Sequence, residues 1–348
     1  MREKRKNEHI DNALITGQMR QHGFDDIQFV HQSLPETALD DIDLSTTIGE
    51  LQLSSPIFIN AMTGGGGDRT KNINALLAEV AKECDLPIGV GSQMAAIQDP
   101  SQEDTYKIIR KKNPDGIVFA NLGSEATTDH ALQAIEMVEA NALQIHLNAV
   151  QELIMPEGDR NFLHSLKNIE RIASAIDVPL IVKEIGFGMS KETVKKLSEV
   201  GVTIVDVGGY GGTNFSAIEN MRREQALTFL NHWGIPTACT LAEVTQTAPI
   251  LDVIASGGLQ TGLDAAKAIS LGASACGFAG YFLRMLINEG QEKLIEEIHK
   301  IHEELKIIMT ALGKPTISQL KKAPIVISGY THHWLQERGI KTQFFSQR

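Results

Sequence analysis

The residues best suited to chemistry stand at the ends of short apolar runs. HLNAVQE at 146 to 152 gathers His146, Asn148, Gln151 and Glu152 within seven residues. A His and an Asn two apart on a strand point to the same side, where buried polar groups are costly unless they find partners. Such a cluster could hold a substrate or move a proton, and His146 could equally be a hydrogen-bonded residue of the interior. Lys183 and Glu184 end the run VKEIGFG. That lysine is either a rim cation paired with its neighbour or a positive charge held against an electron-rich ring such as a reduced flavin. Gly257-Gly258 in ASGGLQTG and Ala279-Gly280 in GFAGYF put small residues at two further run ends. Backbone N–H groups approach an anion closely only where side chains are small, so the two together point to a phosphate group beyond plain tight turns.

These residues need elements to position them, and the apolar runs supply a series. They are 56 to 67, 87 to 92, 116 to 124, 142 to 148, 179 to 188, 203 to 213, 251 to 259 and 275 to 280. Each reads as a buried parallel strand feeding a loop, and helix-length segments with one charged face lie between them. Eight β-α units at roughly thirty-residue spacing predict an α/β fold, a (β/α)8 TIM barrel, whose active site lies on the loops after the strands. A doubly wound sheet is the alternative, but eight units without a domain linker favour closure. The expected organisation is a single domain of 1–348. Residues 1–55 would form an N-terminal arm over the barrel mouth, 56–285 the barrel core and 286–348 a C-terminal helical tail.

Composition narrows the partners. With 348 residues, 32 basic and 43 acidic, the net charge is −11. The chain as a whole offers no broad cationic surface for nucleic acid. Its three cysteines, Cys84, Cys239 and Cys276, stand far apart and suggest neither a disulfide framework nor a zinc cluster, which fits a reducing cytoplasm. The charged start MREKRKNEHI argues against a secretory signal, and no stretch reads as a membrane span. GGGGDRTK at 64 to 71 lacks the GK[ST] of a P-loop, and GGYGGT lacks the spacing of a Rossmann fingerprint.

Along essentially its whole length the chain resembles the type 2 isopentenyl-diphosphate isomerases, FMN-dependent barrel enzymes. The resemblance rests on RKNEH (5–9), NAMTGGG (60–66), VGSQM (90–94), ANLG (120–123), HLNAVQE (146–152), VKEIGFGMS (182–190), VGGYGGTNFSAIE (207–219) and ASGGLQTG (255–262). It implies that Ala61, Met62, Thr63, Ser92, Asn121, Lys183 and Thr213 contact the flavin ring and ribityl chain. Gly257, Gly258, Leu259, Ala279 and Gly280 would cradle its phosphate. Arg5 and Lys6 match a diphosphate clamp that His9, a turn further on, would join. Ser92, Gln93, Met94, His146, Asn148 and Gln151 match substrate-facing positions, Glu219 a carboxylate near the substrate and Glu152 a Mg²⁺ ligand. Phe215 stands where some members carry Trp, so an indole-specific role does not transfer.

The implied reaction is a 1,3 shift of a double bond between isopentenyl and dimethylallyl diphosphate, with no net redox change. No side-chain pair in the sequence is an obvious acid for an unactivated alkene. In the family the reduced flavin is held to be acid and base, with NADPH needed only to reduce it and with Gln151, His146, Glu219 and Lys183 as the catalytic set. A cytoplasmic homo-oligomer, tetramer or octamer, is the implied assembly. The competing reading is an FMN-dependent 2-hydroxy-acid oxidoreductase. Such enzymes use the His of an HGGR turn after the sixth strand, where this chain has Val207. A flavin- or phosphate-binding protein without turnover would leave the set Arg5, Lys6, Gln151 and Glu152 without a reason.

Overall fold

The computed structural model of the chain describes residues 2–16 and 21–348, with the side chains of residues 2–7 outside that description. Eight parallel strands close into a barrel: β1 (Ile57–Ile59), β2 (Ile88–Gly89), β3 (Val118–Gly123), β4 (Ala142–Leu147), β5 (Leu180–Glu184), β6 (Ile204–Asp206), β7 (Asp252–Ser256) and β8 (Ala275–Phe278). All eight lie inside the apolar runs read from the sequence. Closure is made by β8 on β1, with Cys276 opposite Ile57 and Phe278 opposite Ile59.

The helices between the strands follow from capping and periodicity. Gly67–Glu83 buries Ile73, Leu77, Val80 and Ala81, a stripe at the 3.6-residue period that faces the barrel. Thr127 and Thr261 open Thr128–Val138 and Gly262–Ser270, each accepting the third helical N–H in a reciprocal capping box. The lower barrel is filled by Phe58, Phe119, Ile181, Ile204 and Ile254, with small Ala142 and Ala275 leaving room for the two phenylalanine rings.

The segment before β1 divides between the two ends of the barrel, which differs from an arm lying wholly over the mouth. Helix Arg2–Thr16 covers the mouth, where His9, Ile10 and Ala13 line a cavity. The hairpin Thr46–Ile48 with Leu51–Leu53 plugs the opposite end, adding Ile48 and Leu53 to the lower core, and Gly49 N–H donates to Asp252 at the start of β7. A hydrophobic seam that must be sealed at the strand starts accounts for this split.

The tail carries helices, Gln291–Ala311 the longest, together with a strand that the helical expectation did not include. Ile325–Ile327 pairs antiparallel with Ile27–Phe29, tying the tail to the segment before the barrel. Fully buried Glu243 accepts Trp334 Nε1–H at 2.7 Å and Arg338 Nε–H at 3.0 Å, which anchors the helix Gly329–Glu337. The three cysteines are free and buried. Burial pushes the Cys84 thiol up to about 11 and Cys239 up to about 12, and raises Cys276 further. Among the described residues no helix is long and apolar enough to cross a membrane.

Candidate active site

The C-terminal ends of the strands frame two adjoining cavities that share Ala61, Met62, Lys183, Ile185 and Phe215. The narrower one is walled by glycine. Gly257 and Gly258 have φ of +112° and +95°, and a Cβ on either would sit 2.1 Å from the carbonyl oxygen of Gly209 or 2.4 Å from that of Gly211. Only glycine allows that approach. Helix Gly280–Glu289 begins here at Ala279 with no side-chain cap, so its first N–H groups are left for whatever enters. Leu259, Thr213 and Ala279 complete the wall. A cradle walled largely by glycine, an uncapped helix N-terminus and a buried lysine fit the phosphate and ring of FMN.

Lys183 is 6% exposed and faces both cavities. Its Nζ donates to the carbonyl oxygen of Glu184 at 3.2 Å, not to that residue's carboxylate. The carboxylate instead accepts three successive backbone N–H groups, from Ile185, Gly186 and Phe187, at 2.7–3.0 Å. Burial pushes the Glu184 carboxyl up to about 7 against the pull of those donors and of Lys183. The rim ion pair considered from sequence is therefore not formed, and the lysine charge is presented to the cavity.

The wider cavity, about 480 Å³, has a lining of two kinds, apolar and polar. Ile10, Met62, Met94, Phe215 and Leu283 form the first, and His146, Asn148, Gln151 and Glu152 the second. The short helix Ala149–Ile154, opening directly after β4, delivers Gln151 and Glu152 to the rim. Asn148 Nδ2–H donates to Glu152 Oε1 at 2.8 Å, and Asp159 N–H to its Oε2 at 2.8 Å. Among the described residues no group of three or more His, Cys, Asp or Glu could alone hold a metal. One carboxylate beside an incoming diphosphate is still a donor set that suits Mg²⁺.

Glu219 is fully buried on Phe215–Asn220, a helix opened by Asn214, whose carboxamide accepts Ala217 N–H. Its Oε1 accepts Gln151 Nε2–H at 2.9 Å and lies 2.8 Å from His9 Nε2; its Oε2 accepts Arg222 at 2.6 Å. Burial alone would raise this carboxyl, but His9, Gln151 and Arg222 outweigh it and hold it down at about 2. Glu219 thus joins the arm to the polar lining. Arg222 also reaches Glu8 of the arm at 3.2 Å and Glu157 at 2.6 Å.

Two expected contacts are turned elsewhere. Gln93 is fully buried, donating to the carbonyl of Ala134 at 2.9 Å and accepting Asn121 N–H at 2.9 Å, so it braces β3 from behind instead of lining the cavity. Thr63 Oγ1 is committed to Asn74, and its carbonyl accepts Gly91 N–H at 2.9 Å. Ser92 lines the wide cavity while its carbonyl accepts the Tyr106 hydroxyl. Arg5 and Lys6 lie on the mouth helix, with side chains outside the described residues.

Sequence reasoning missed four buried polar residues beneath the site: Asn60, Gln144, Asp206 and Ser256. Asp206 Oδ2 accepts Asn60 Nδ2–H at 2.8 Å, and its Oδ1 accepts Ser256 Oγ–H at 2.6 Å and Gly208 N–H at 3.1 Å. Asn60 Oδ1 accepts Gln144 Nε2–H at 3.2 Å, Gln144 Oε1 accepts Asn121 Nδ2–H at 3.1 Å, and Asn121 Oδ1 lies 2.9 Å from His146 Nδ1. The chain of amides crosses the barrel interior from β6 and β7 to β4. Gln144 stands two residues before His146 on that strand, a spacing that could have found it.

Comparison with known proteins agrees with this geometry. Residues 110–327 match the family model of FMN-dependent dehydrogenases. The isopentenyl-diphosphate delta-isomerase of Bacillus cereus (strain AH187) is 60% identical over 348 residues, covering 100% of both chains. That of Geobacillus sp. (strain WCH70) is 58% identical over 347 residues, covering 100% of this chain and 99% of the other. Among solved structures, a doubly substituted flavocytochrome b2 with pyruvate bound superposes with a TM-score of 0.68 at 20% identity, covering 92% of this chain and 82% of that one. A mandelate oxidase mutant with the monooxide FMN adduct gives 0.65 at 16% identity, with coverage of 91% and 92%. At such identities these two share the fold alone.

Proposed function

Because the chain belongs to the type 2, FMN-dependent isopentenyl-diphosphate delta-isomerases, we propose that it interconverts isopentenyl and dimethylallyl diphosphate by a 1,3-allylic proton shift. The observation that carries this reading is the pairing of a glycine-walled cradle with a half-apolar cavity, joined through Lys183. Bound in the cradle, reduced FMN would supply the acid and base that the side chains lack, with NADPH as its reductant.

The chain's own residues have five tasks. The apolar lining, Ile10, Met94, Phe215 and Leu283, takes the five-carbon isoprenoid and keeps water from an alkene whose protonation develops cationic character. Glu152 would hold Mg²⁺, which would supply charge neutralisation for the diphosphate, and Arg5, Lys6 and His9 of the arm would add their positive charge and donors. Asn148 orients the Glu152 carboxylate. Glu219, held ionised, can only accept, so Gln151 must turn its NH₂ toward it and its carbonyl oxygen toward the substrate carbons. Lys183 would supply a fixed positive charge to an electron-rich ring bound in the cradle.

Homo-oligomeric assembly belongs to the same reading, and exposed Phe229 and Trp233 offer apolar surface for a subunit contact. The hydroxy-acid oxidoreductase reading is disfavoured by Val207, which is fully buried where a catalytic base would be needed.

The test is anaerobic incubation with FMN, NADPH, Mg²⁺ and isopentenyl diphosphate in D₂O, followed by proton NMR. Deuterated dimethylallyl diphosphate, formed only with reduced FMN and without stoichiometric NADPH consumption, is the expected result. FMN that binds and is reduced without any allylic product would overturn it.

A further inference from the structure

The amide chain beneath the site has a direction, and each link sets the next. A carboxylate accepts only, so Asp206 obliges Asn60 to present Nδ2 to it. The backbone N–H of Ala61, a donor only, independently obliges Asn60 to present Oδ1 on the other side, at 2.8 Å. Gln144 must then donate through Nε2 to Asn60 and accept through Oε1, and Asn121 must donate through Nδ2 and offer Oδ1 to His146. An amide oxygen at 2.9 Å from Nδ1 requires a proton on that nitrogen.

The barrel is built to hold this chain. A Cβ on Gly277 of β8 would sit 2.5 Å from Asn60 Nδ2, and one on Gly89 of β2 3.1 Å from Gln144 Oε1. Side chains at either position would push an amide out of line. Asp206, Asn60, Gln144 and Asn121 are each at most 3% exposed, where an unmade hydrogen bond is costly.

We propose that Asp206, Asn60 and Gln144 are positioning residues that hold a proton of His146 on Nδ1, so that the ring in its neutral form takes the Nδ1–H tautomer. None of the three reaches the reacting atoms; they act through Asn121. A cavity histidine with a fixed tautomer offers one defined face to the substrate, which spares the site the cost of selecting it at each turnover. The inference deepens the isomerase reading and rests on it only for the meaning of His146 in turnover.

The test is ¹⁵N NMR of histidine-labelled, FMN-loaded protein at a pH where the ring is neutral, with the signal assigned by its loss in His146→Gln. A pyrrole-type Nδ1 and a pyridine-type Nε2 are expected, favoured about tenfold or more, as one buried hydrogen bond dictates. Gln144→Met, which keeps the volume and removes the links, frees the Asn121 amide to rotate and should bring both tautomers into view. A pyrrole-type Nε2 in the unaltered protein would overturn the proposal, as would an unchanged tautomer ratio in a folded Gln144→Met. Should that variant not fold, the unaltered protein alone decides. Turnover is not read here: a wrong tautomer with intact isomerisation refutes only the relay, and a correct tautomer without isomerisation refutes only the proposed function.

Discussion

Gln151 and Lys183 bear the greatest burden at the scale of single residues, one held by Glu219 and the other nearly sealed between two cavities. Replacing Gln151 by Ala removes an oriented amide, and misplacement of that order costs about 100-fold in turnover. Replacing Lys183 by Ala removes one preorganised charge, with a loss of about 100- to 1,000-fold. Steady-state isomerisation by both variants at saturating FMN checks this, and near-normal rates in both would refute the roles. The polar residues that end strands were legible because their type and position agree: His146 and Lys183 emerge directly from apolar runs. The side-chain directions of Gln93 and Thr63 were not legible, because a loop's backbone decides which way a side chain turns and one-dimensional spacing carries no such information. Asn60 and Asp206 were passed over since a lone polar residue closing a buried strand looks like the start of its loop.

Among the elements, the long tail helix Gln291–Ala311 has its own sensitivity to acid. His302 Nε2 lies 2.8 Å from Ser55 Oγ just before β1, and burial first, then nearby His299 and Lys306, lowers its pKa to about 4. The unfolded ring takes its proton near 6.5, so this contact is fully supportive above that pH and its contribution is lost as pH falls toward 4. At 1.36 kcal/mol per pKa unit the loss reaches up to about 3 kcal/mol. Thermal melts between pH 7.5 and 4.5 should therefore show a steeper fall in Tm for the unaltered chain than for His302→Gln, and parallel curves would refute the assignment. That such a helix exists was readable from its charge and apolar periodicity. The strand Ile325–Ile327 was not, because its partner Ile27–Phe29 lies some three hundred residues away and three-residue strands leave almost no local pattern.

For the whole molecule, eight repeats of one β-α unit made the barrel legible, since each repeat carried the same signal and only closure satisfies eight parallel strands without an edge. The division of the first 55 residues between mouth and base was beyond reach, being a matter of which end of the barrel most needs sealing. A separate consequence follows from the burial of every native thiol. The thiolate is the reactive form, and none of the three cysteines ionises near neutrality inside the folded barrel. Maleimide at neutral pH should leave the native mass unchanged and add three labels once the chain is denatured, as intact-mass spectrometry would record; a labelled native protein would contradict the packing. The molecule is therefore a silent background for spectroscopy. One cysteine placed at exposed Ile15 on the mouth helix would carry the only dye, and its emission would report on the surroundings of that helix alone.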